Sequence, residues 1–337
     1  MNDGNIDLMK GGVNLLGRID TMQKKYLRRK ELKSAGGILL LEKVVDEAET
    51  ESFRSQSMVS KQAIKFDRNI PAIRVKDIRL AMDVAIFRIG KKDKRAGEIM
   101  RHELNDGYVE VKAGPDGMAS VWDYDIILML TSLLAESMNL YKQGKAEKPG
   151  KIFRSGVGDI LKFCRKGDGG NQASTIESAL DRLKGTTLKL VRLNRNIDGR
   201  PVREVRAEGL ISSYSVISYT RSGKVGEVQI EVPEWLFCQI CENDMDVLTV
   251  NPDYFSIECG VGRFVYRLAR RVAGRDLARW TFKKIYERSG SSGEQKKFNY
   301  FLRVLIKNNC LPEYELHEER GKTGPILVME RRVCTTV

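Results

Sequence analysis

The stretch from Thr281 to Met329, TFKKIYERSGSSGEQKKFNYFLRVLIKNNCLPEYELHEERGKTGPILVM, decides how this chain folds. It predicts a helix, a short glycine-serine turn, a second helix and a two-stranded ribbon. Phe298, Leu302 and Leu305 recur at intervals of four and three, with Phe301 and Ile306 flanking, and define one apolar helical face. Lys296, Asn299, Tyr300, Arg303 and Lys307 recur on the opposite face with the same period. A helix anchored through its apolar side and offering Lys, Asn and Arg on the other suits the DNA major groove. There Lys and Arg meet phosphates or guanine edges, and Asn reads adenine. The plain alternative is a solvated amphipathic helix, and the surroundings bear on the choice.

Those surroundings are basic in blocks. The 337 residues carry a net charge of +13, and the pI of about 9.4 predicts attraction to a polyanion. From Cys259 to Lys307 there are thirteen basic and three acidic residues, and from Lys151 to Lys224 fifteen basic and seven acidic. Between them, Glu231 to Glu258 holds seven acidic residues and no basic one. Two basic blocks around an acidic spacer suggest two contact surfaces on one partner.

A hydrophobic content of 42% and a charged content of 31% fit ordinary globular folding. The length suits two domains and a tail. No stretch reaches the roughly 18 to 20 apolar residues that span a bilayer. Ile126 to Met138 comes nearest and is broken by Thr131, Ser132 and Glu136, so no membrane partner is expected. The first thirty residues show no charged start followed by an apolar stretch and a cleavage site, so secretion is not expected, and six irregularly spaced cysteines suit a reducing cytoplasm.

Residues 1–69 read as a charged, partly helical arm, with Leu15, Ile19, Met22 and Tyr26 at heptad-like spacing. A helix packed on the body and a flexible arm touching DNA or a partner through Lys24, Lys25, Arg28 and Arg29 both fit. Residues 70–225 form a first expected domain: strands at Ala85–Ile89 and Tyr108–Lys112, then a helix from Asp123 to Leu140 capped by Asp123. A shorter helix over Ser155–Phe163 and one over Gln172–Lys184 follow, the latter with Ile176, Leu180 and Leu183 inward and Gln172, Thr175, Ser178 and Arg182 outward. Strands at Thr187–Leu193 and Ala207–Tyr219 flank a connection carrying Arg195, Arg200 and Arg203. Residues 226–337 repeat the order. Val261, Phe264, Val265, Leu268 and Val272 face a core, while Arg263, Arg267, Arg270 and Arg271 lie elsewhere on that helix. Thr281 caps the next helix, and a hairpin carries Arg320 and Lys322 at its tip. The expected fold class is therefore α+β, two tandem winged-helix domains behind an N-terminal accessory arm.

In each half a helix would enter a groove while a ribbon tip reaches the flanking backbone. In the second half Lys296, Asn299, Tyr300 and Arg303 would meet bases or nearby phosphates, with Lys307, Arg320 and Lys322 on the backbone. In the first half the counterparts are Gln172, Thr175, Ser178 and Arg182, with Arg195 and Arg200 at the tip.

Catalytic readings fail on inventory, and neither a cofactor nor a metal is expected. A rolling-circle nuclease needs paired histidines beside a tyrosine, but His102 and His317 stand in unrelated contexts. His317-Glu-Glu-Arg320 has no tyrosine after it to serve as a recombinase nucleophile. Gly321-Lys-Thr323 lacks the earlier glycine of a phosphate-binding loop, because Leu316 stands there. Cys238-Gln-Ile-Cys241 has zinc-like spacing but no second pair, and reads as buried thiols in a core helix.

Three blocks carry a family likeness. Ser120-Val-Trp-Asp-Tyr-Asp-Ile-Ile-Leu128 with Leu133-Leu134, Ser178-Ala-Leu-Asp-Arg-Leu-Lys-Gly-Thr186, and a closing set resemble the plasmid replication initiator protein A family. The closing set is Tyr286-Glu-Arg-Ser-Gly-Ser291, Lys297-Phe298 and Cys310-Leu-Pro-Glu-Tyr-Glu-Leu316. The likeness runs from about Ile86 to Met329. It implies binding to repeated double-stranded sites at a plasmid origin, and copying started with the host initiator and replicative helicase. Related initiators often repress their own gene as dimers and fire the origin as monomers, so the resemblance also offers a homodimer and autorepression as alternatives. The rivals are a winged-helix transcriptional repressor and a DNA-nicking enzyme.

Overall fold

The computed structural model describes residues 64–65 and 73–332, except 105, 168–169, 196–200, 220–224 and 243–245. Apart from Ile64 and Lys65, the expected arm lies outside the described residues. Residues 62–337 form one compact unit. Its first half runs β1 (Ile64–Lys65), β2 (Lys76–Ile78), α1 (Arg79–Asp83), β3 (Ile99–Leu104), β4 (Gly107–Lys112), α2 (Tyr124–Lys142), β5 (Ile152–Gly156), α3 (Val157–Phe163) and α4 (Gly170–Gly185). Strands β6 (Thr187–Arg195), β7 (Pro201–Gly209), β8 (Ser213–Tyr219) and β9 (Val225–Glu231) complete it. After α5 (Glu234–Cys241) and β10 (Val247–Thr249), the second half runs α6 (Gly260–Val272), β11 (Leu277–Thr281), α7 (Phe282–Ser289), α8 (Gln295–Asn308), β12 (Tyr314–Gly321) and β13 (Gly324–Arg331).

The fold mixes helices with mostly antiparallel sheets. Helix, strand, helix, helix, hairpin occurs twice, as α2-β5-α3-α4-β6-β7 and as α6-β11-α7-α8-β12-β13. The sheets differ. In the second half β11, β13 and β12 form a single three-stranded sheet, whereas β6 and β7 extend β3-β4 and β5 joins β1, β9 and β8. The boundary expected at 225/226 falls at the start of β9, which pairs with β5 and β8.

Helix α2 is the centre of the core. Its residues from Tyr124 to Ala135 are all buried, so Ile126, Leu130, Leu133 and Leu134 are only part of its apolar surface. Asp123, expected as its cap, makes no side-chain capping bond to the helix. The Ser120 amide donates to Asp123 Oδ2 at 2.7 Å, and the Asp123 amide donates to Ser120 Oγ at 3.2 Å. This reciprocal capping box makes Ser120 the cap.

Several strand expectations are corrected. Ala85–Ile89 bends at Ile86 and Phe87 and carries one isolated bridge, Arg88 to Ser120. The edge strand β3 was not expected, because Arg101, His102 and Glu103 hide its alternation. Ser155 and Gly156 end β5 instead of starting a helix. Ala207–Tyr219 is divided by the buried turn at Leu210 and Ile211.

Helix α6 joins the halves. Val261, Phe264, Val265 and Leu268 are buried as their spacing predicts. Arg263 and Arg267, expected away from the core, are buried as well. Arg263 Nη1 donates to Asp125 Oδ1 on α2 at 2.6 Å, and Nε and Nη2 donate to the Ile257 and Phe255 carbonyls. Arg267 Nε donates to Asp77 Oδ2 at 2.5 Å, with its guanidinium 4.8 and 4.4 Å from the Phe87 and Tyr124 rings. The Tyr124 hydroxyl donates to the other Asp77 oxygen at 3.0 Å. Burial opposes the Arg267 charge, yet Asp77 with Tyr124 and Tyr254 holds its pKa above the ordinary value. A buried pair contributes little net stability, but removing one member strands the other charge. Asp77→Asn is therefore expected to cost about 3–5 kcal/mol in urea unfolding, and Asp77→Leu with Arg267→Met to recover only part of it, since the buried Tyr124 hydroxyl and the Ile78 amide lose their acceptor. A loss of under about 1 kcal/mol would count against this account.

His102 on β3 is buried, and its Nε2–H donates to the Ala85 carbonyl at 3.0 Å. Burial holds the imidazole below its ordinary pKa, with the carbonyl bond offsetting only part. As pH falls below about 6.5, the unfolded chain takes up the proton first, so stability drops. His102→Gln is expected to flatten that acid-side loss in thermal melts recorded against pH, and an unchanged profile would refute the assignment.

Candidate nucleic-acid interface

The helix pair α7–α8 is set by local chemistry. The Thr281 hydroxyl accepts from the Lys284 amide at 3.2 Å, capping α7 as its sequence predicts. Helix α7 ends at Gly290 in the left-handed region, with φ +58°, where a side chain would also meet Met100 Sδ at 2.5 Å. The turn is tied down from the first half. Arg95 Nη1 donates to the Gly290 carbonyl at 2.6 Å, the Ala85 amide to the Arg288 carbonyl at 3.0 Å, and Ser292 Oγ to Asp93 Oδ2 at 3.1 Å. Beside it lies a cavity of about 330 Å³ lined by Arg95, Trp122, Lys297 and Phe301.

Helix α8 buries Phe298, Leu302 and Leu305, the face its spacing predicts. Asn309, in the left-handed region with φ 43°, ends it, and its Oδ1 accepts from the Leu316 amide at 2.9 Å. The helix end is thereby joined to β12. Lys296, Tyr300, Arg303 and Lys307 are exposed along the outer face. At the far end of the β12–β13 hairpin, Arg320 and Lys322 are exposed too.

Asn299 departs from the expected stripe. It is half-buried, and its Oδ1 is buried without a hydrogen-bond partner among the described residues. In this arrangement it cannot offer both ends of its amide to adenine. The outer face is also more apolar than expected. Phe301, expected to flank the core face, is 39% exposed beside Tyr300 at 62% and Val304 at 36%, and such side chains suit thymine methyl groups. Lys297, the second of the Lys296-Lys297 pair, is exposed as well, and that doublet was the signal for it.

Arg303 has company of its own. Nε donates to Glu318 Oε2 and Nη2 to Glu318 Oε1, both at 3.0 Å, while the Phe282 ring lies 5.5 Å from the guanidinium. The Glu318 hydrogen bonds raise the Arg303 pKa.

The first-half set is less cohesive. Thr175 and Ser178 are exposed on α4. Gln172 belongs to α4 and Arg195 ends β6, with side chains outside the described residues, as is all of Arg200. Arg182, expected outward, turns to Asp123 and forms a fork at 2.9 and 2.8 Å. The capping-box carboxylate thus also binds α4, and the side chain is only 19% exposed. Arg203, expected in the open connection, lies in β7 with Nη2 3.3 Å from the Tyr108 hydroxyl.

Pairing reduces the basic surface that the charge count suggests. Among the described residues, six of the thirteen basic residues in 259–307 lie within 4.0 Å of a carboxylate: Arg263, Arg267, Arg271, Arg279, Lys283 and Arg303. Arg270, Arg275, Lys284 and Arg288 do not, nor do Lys296, Lys297 and Lys307 on α8.

Cys238 and Cys241 lie half-exposed on α5 instead of buried. Burial pushes their thiols up to about 12 and about 11. Glu234, bonded to Cys238 Sγ at 3.3 Å, adds to the first. No group of His, Cys, Asp and Glu among the described residues is arranged to hold a metal ion, and no helix among them is long and apolar enough to cross a membrane.

The Arg182 fork gives a direct test. Arg182→Lys keeps the charge and loses the bidentate geometry, so it is expected to cost about 1–2 kcal/mol of stability in urea melts. Unchanged stability would return Arg182 to the surface set.

A putative replication protein of Wigglesworthia glossinidia brevipalpis is 27% identical over 240 residues, covering 70% of this chain and 82% of that protein. The crystal structure of domains 2 and 3 of RctB matches with a TM-score of 0.56 at 12% identity, covering 76% of this chain and 99% of that one. That likeness concerns the fold. The model of the replication initiator protein A family matches residues 76–316, from β2 into β12. The chain belongs to the replication initiator protein A family and has the role of a replication initiator.

Proposed function

We propose that this initiator binds repeated double-stranded sites at a plasmid origin through two winged-helix units, with α8 in the major groove. The observation that carries this reading is the outer face of α8. Lys296, Lys297, Tyr300, Arg303 and Lys307 are exposed together on a helix whose other side is anchored by Phe298, Leu302 and Leu305. The β12–β13 hairpin extends Arg320 and Lys322 as a wing toward the flanking backbone. The first half contributes the α4 surface around Thr175 and Ser178, with Gln172, Arg195 and Arg200, and contacts backbone or a second copy of the chain.

The protein then works as a binder, without catalysis or cofactor of its own. Occupation of adjacent sites strains the duplex and helps melt a neighbouring A·T-rich segment, and the host initiator and helicase complete the opening. A homodimer and control of copy number belong to the same proposal.

The experiment is binding and footprinting on the DNA flanking the gene at several salt concentrations. With about 6–10 phosphates contacted, affinity falls by about 10³–10⁵ between about 50 and 200 mM salt. Replacing Lys296, Lys297 and Lys307 together by Ala removes about three units from the salt slope. A nearly flat salt dependence, or no protected sequence, would reject the proposal.

A further inference from the structure

We propose that Glu318 is a positioning residue that sets Arg303 to read one guanine. This rests on α8 being the helix that enters the groove. Arg303 stands at the middle of the exposed α8 face, and a long arginine there would ordinarily sample many rotamers. Here it is held on two sides. The Glu318 carboxylate takes Nε and one proton of Nη2, and the Phe282 ring lies under the guanidinium. Those bonds use the side edge of the fork. The end edge, formed by Nη1 and the second Nη2 proton, has no partner among the described residues, and Arg303 keeps 52% of its side-chain surface exposed. That end edge matches the O6 and N7 acceptors of guanine.

The carboxylate comes from the wing and not from α8 itself. Glu318 lies on β12, whose start is bonded to Asn309 at the end of α8. The wing strand thereby fixes the rotamer of a side chain on the neighbouring helix. A negative charge beside a basic face weakens attraction to phosphate, so Glu318 works against bulk affinity while serving discrimination. The intervals in the sequence give no hint of this, because fifteen residues separate the partners.

The full chain is used to select duplexes from a random library. Wild type, Glu318→Gln, Glu318→Asp, Arg303→Ala and the Arg303→Ala/Glu318→Gln double variant are then compared on the selected duplex and on copies with each guanine pair exchanged. Arg303→Ala and Glu318→Gln are expected to lose discrimination at the same guanine, the latter by about tenfold. Discrimination elsewhere is retained, Glu318→Asp is intermediate, and affinity for unrelated duplex is unchanged or higher in Glu318→Gln. The double variant loses no more than Arg303→Ala alone. Wild-type discrimination in Glu318→Gln, or a Glu318→Gln effect that persists fully without Arg303, overturns the assignment while leaving α8 as a DNA-binding helix. If wild type selects no sequence at all, the interface proposal fails and this inference fails with it.

Discussion

Two carboxylates from the first half, Asp77 and Asp125, neutralise two arginines on a single helix of the second, and the arrangement of the molecule depends on those pairs. Arg263 and Arg267 sit one turn apart on α6, both buried. Between them they engage α2, the strand β2 and carbonyls on either side. Apolar packing alone tolerates sliding, since burial is not directional. A forked guanidinium meeting a buried carboxylate does not, because each misplacement strands a charge. The pairs thus fix the angle at which the second half sits on the first. Around them one apolar core runs from Val75 to Met329, so residues 62–337 form one unit although their elements come in two similar runs.

The same pairs change what net charge means for this chain. A count along the sequence assigns every arginine to the surface. In the fold, four arginines meet the carboxylates of Asp77, Asp125, Asp123 and Glu318, whereas the lysines of α8 remain outside. A planar fork meets a carboxylate with two directed bonds where an ammonium offers a point charge, and Lys166 still reaches the buried Asp125 at 3.4 Å. Exposed cationic side chains include Lys296, Lys297 and Lys307 on α8 and Arg320 and Lys322 at the hairpin tip.

Much of the second half was legible in the sequence because its signals are local. Thr281 as a cap, Gly290 as a stop, the Phe298-Leu302-Leu305 face and the hairpin through 320–324 each depend on neighbours within a few residues. The first half resisted for the opposite reason. Strand β3 is an edge with polar residues on its open side, β5 is too short to establish a period, and Leu210 and Ile211 disguise a turn as continuing strand. At the candidate site, exposure of Lys296, Tyr300, Arg303 and Lys307 follows from helical period. The inward turn of Asn299 and the Arg182–Asp123 and Arg303–Glu318 forks do not, since they depend on partners brought near only by the fold.

The turn ahead of α8 has a mechanical consequence. Because Gly290 abuts Met100, and Arg288, Gly290 and Ser292 are each bonded to residues between 85 and 95, the helix cannot swivel on its own loop. Whatever docks against it meets a stiff body whose aim was settled when the chain folded. Conformational adjustment on contact then falls mainly to the other molecule.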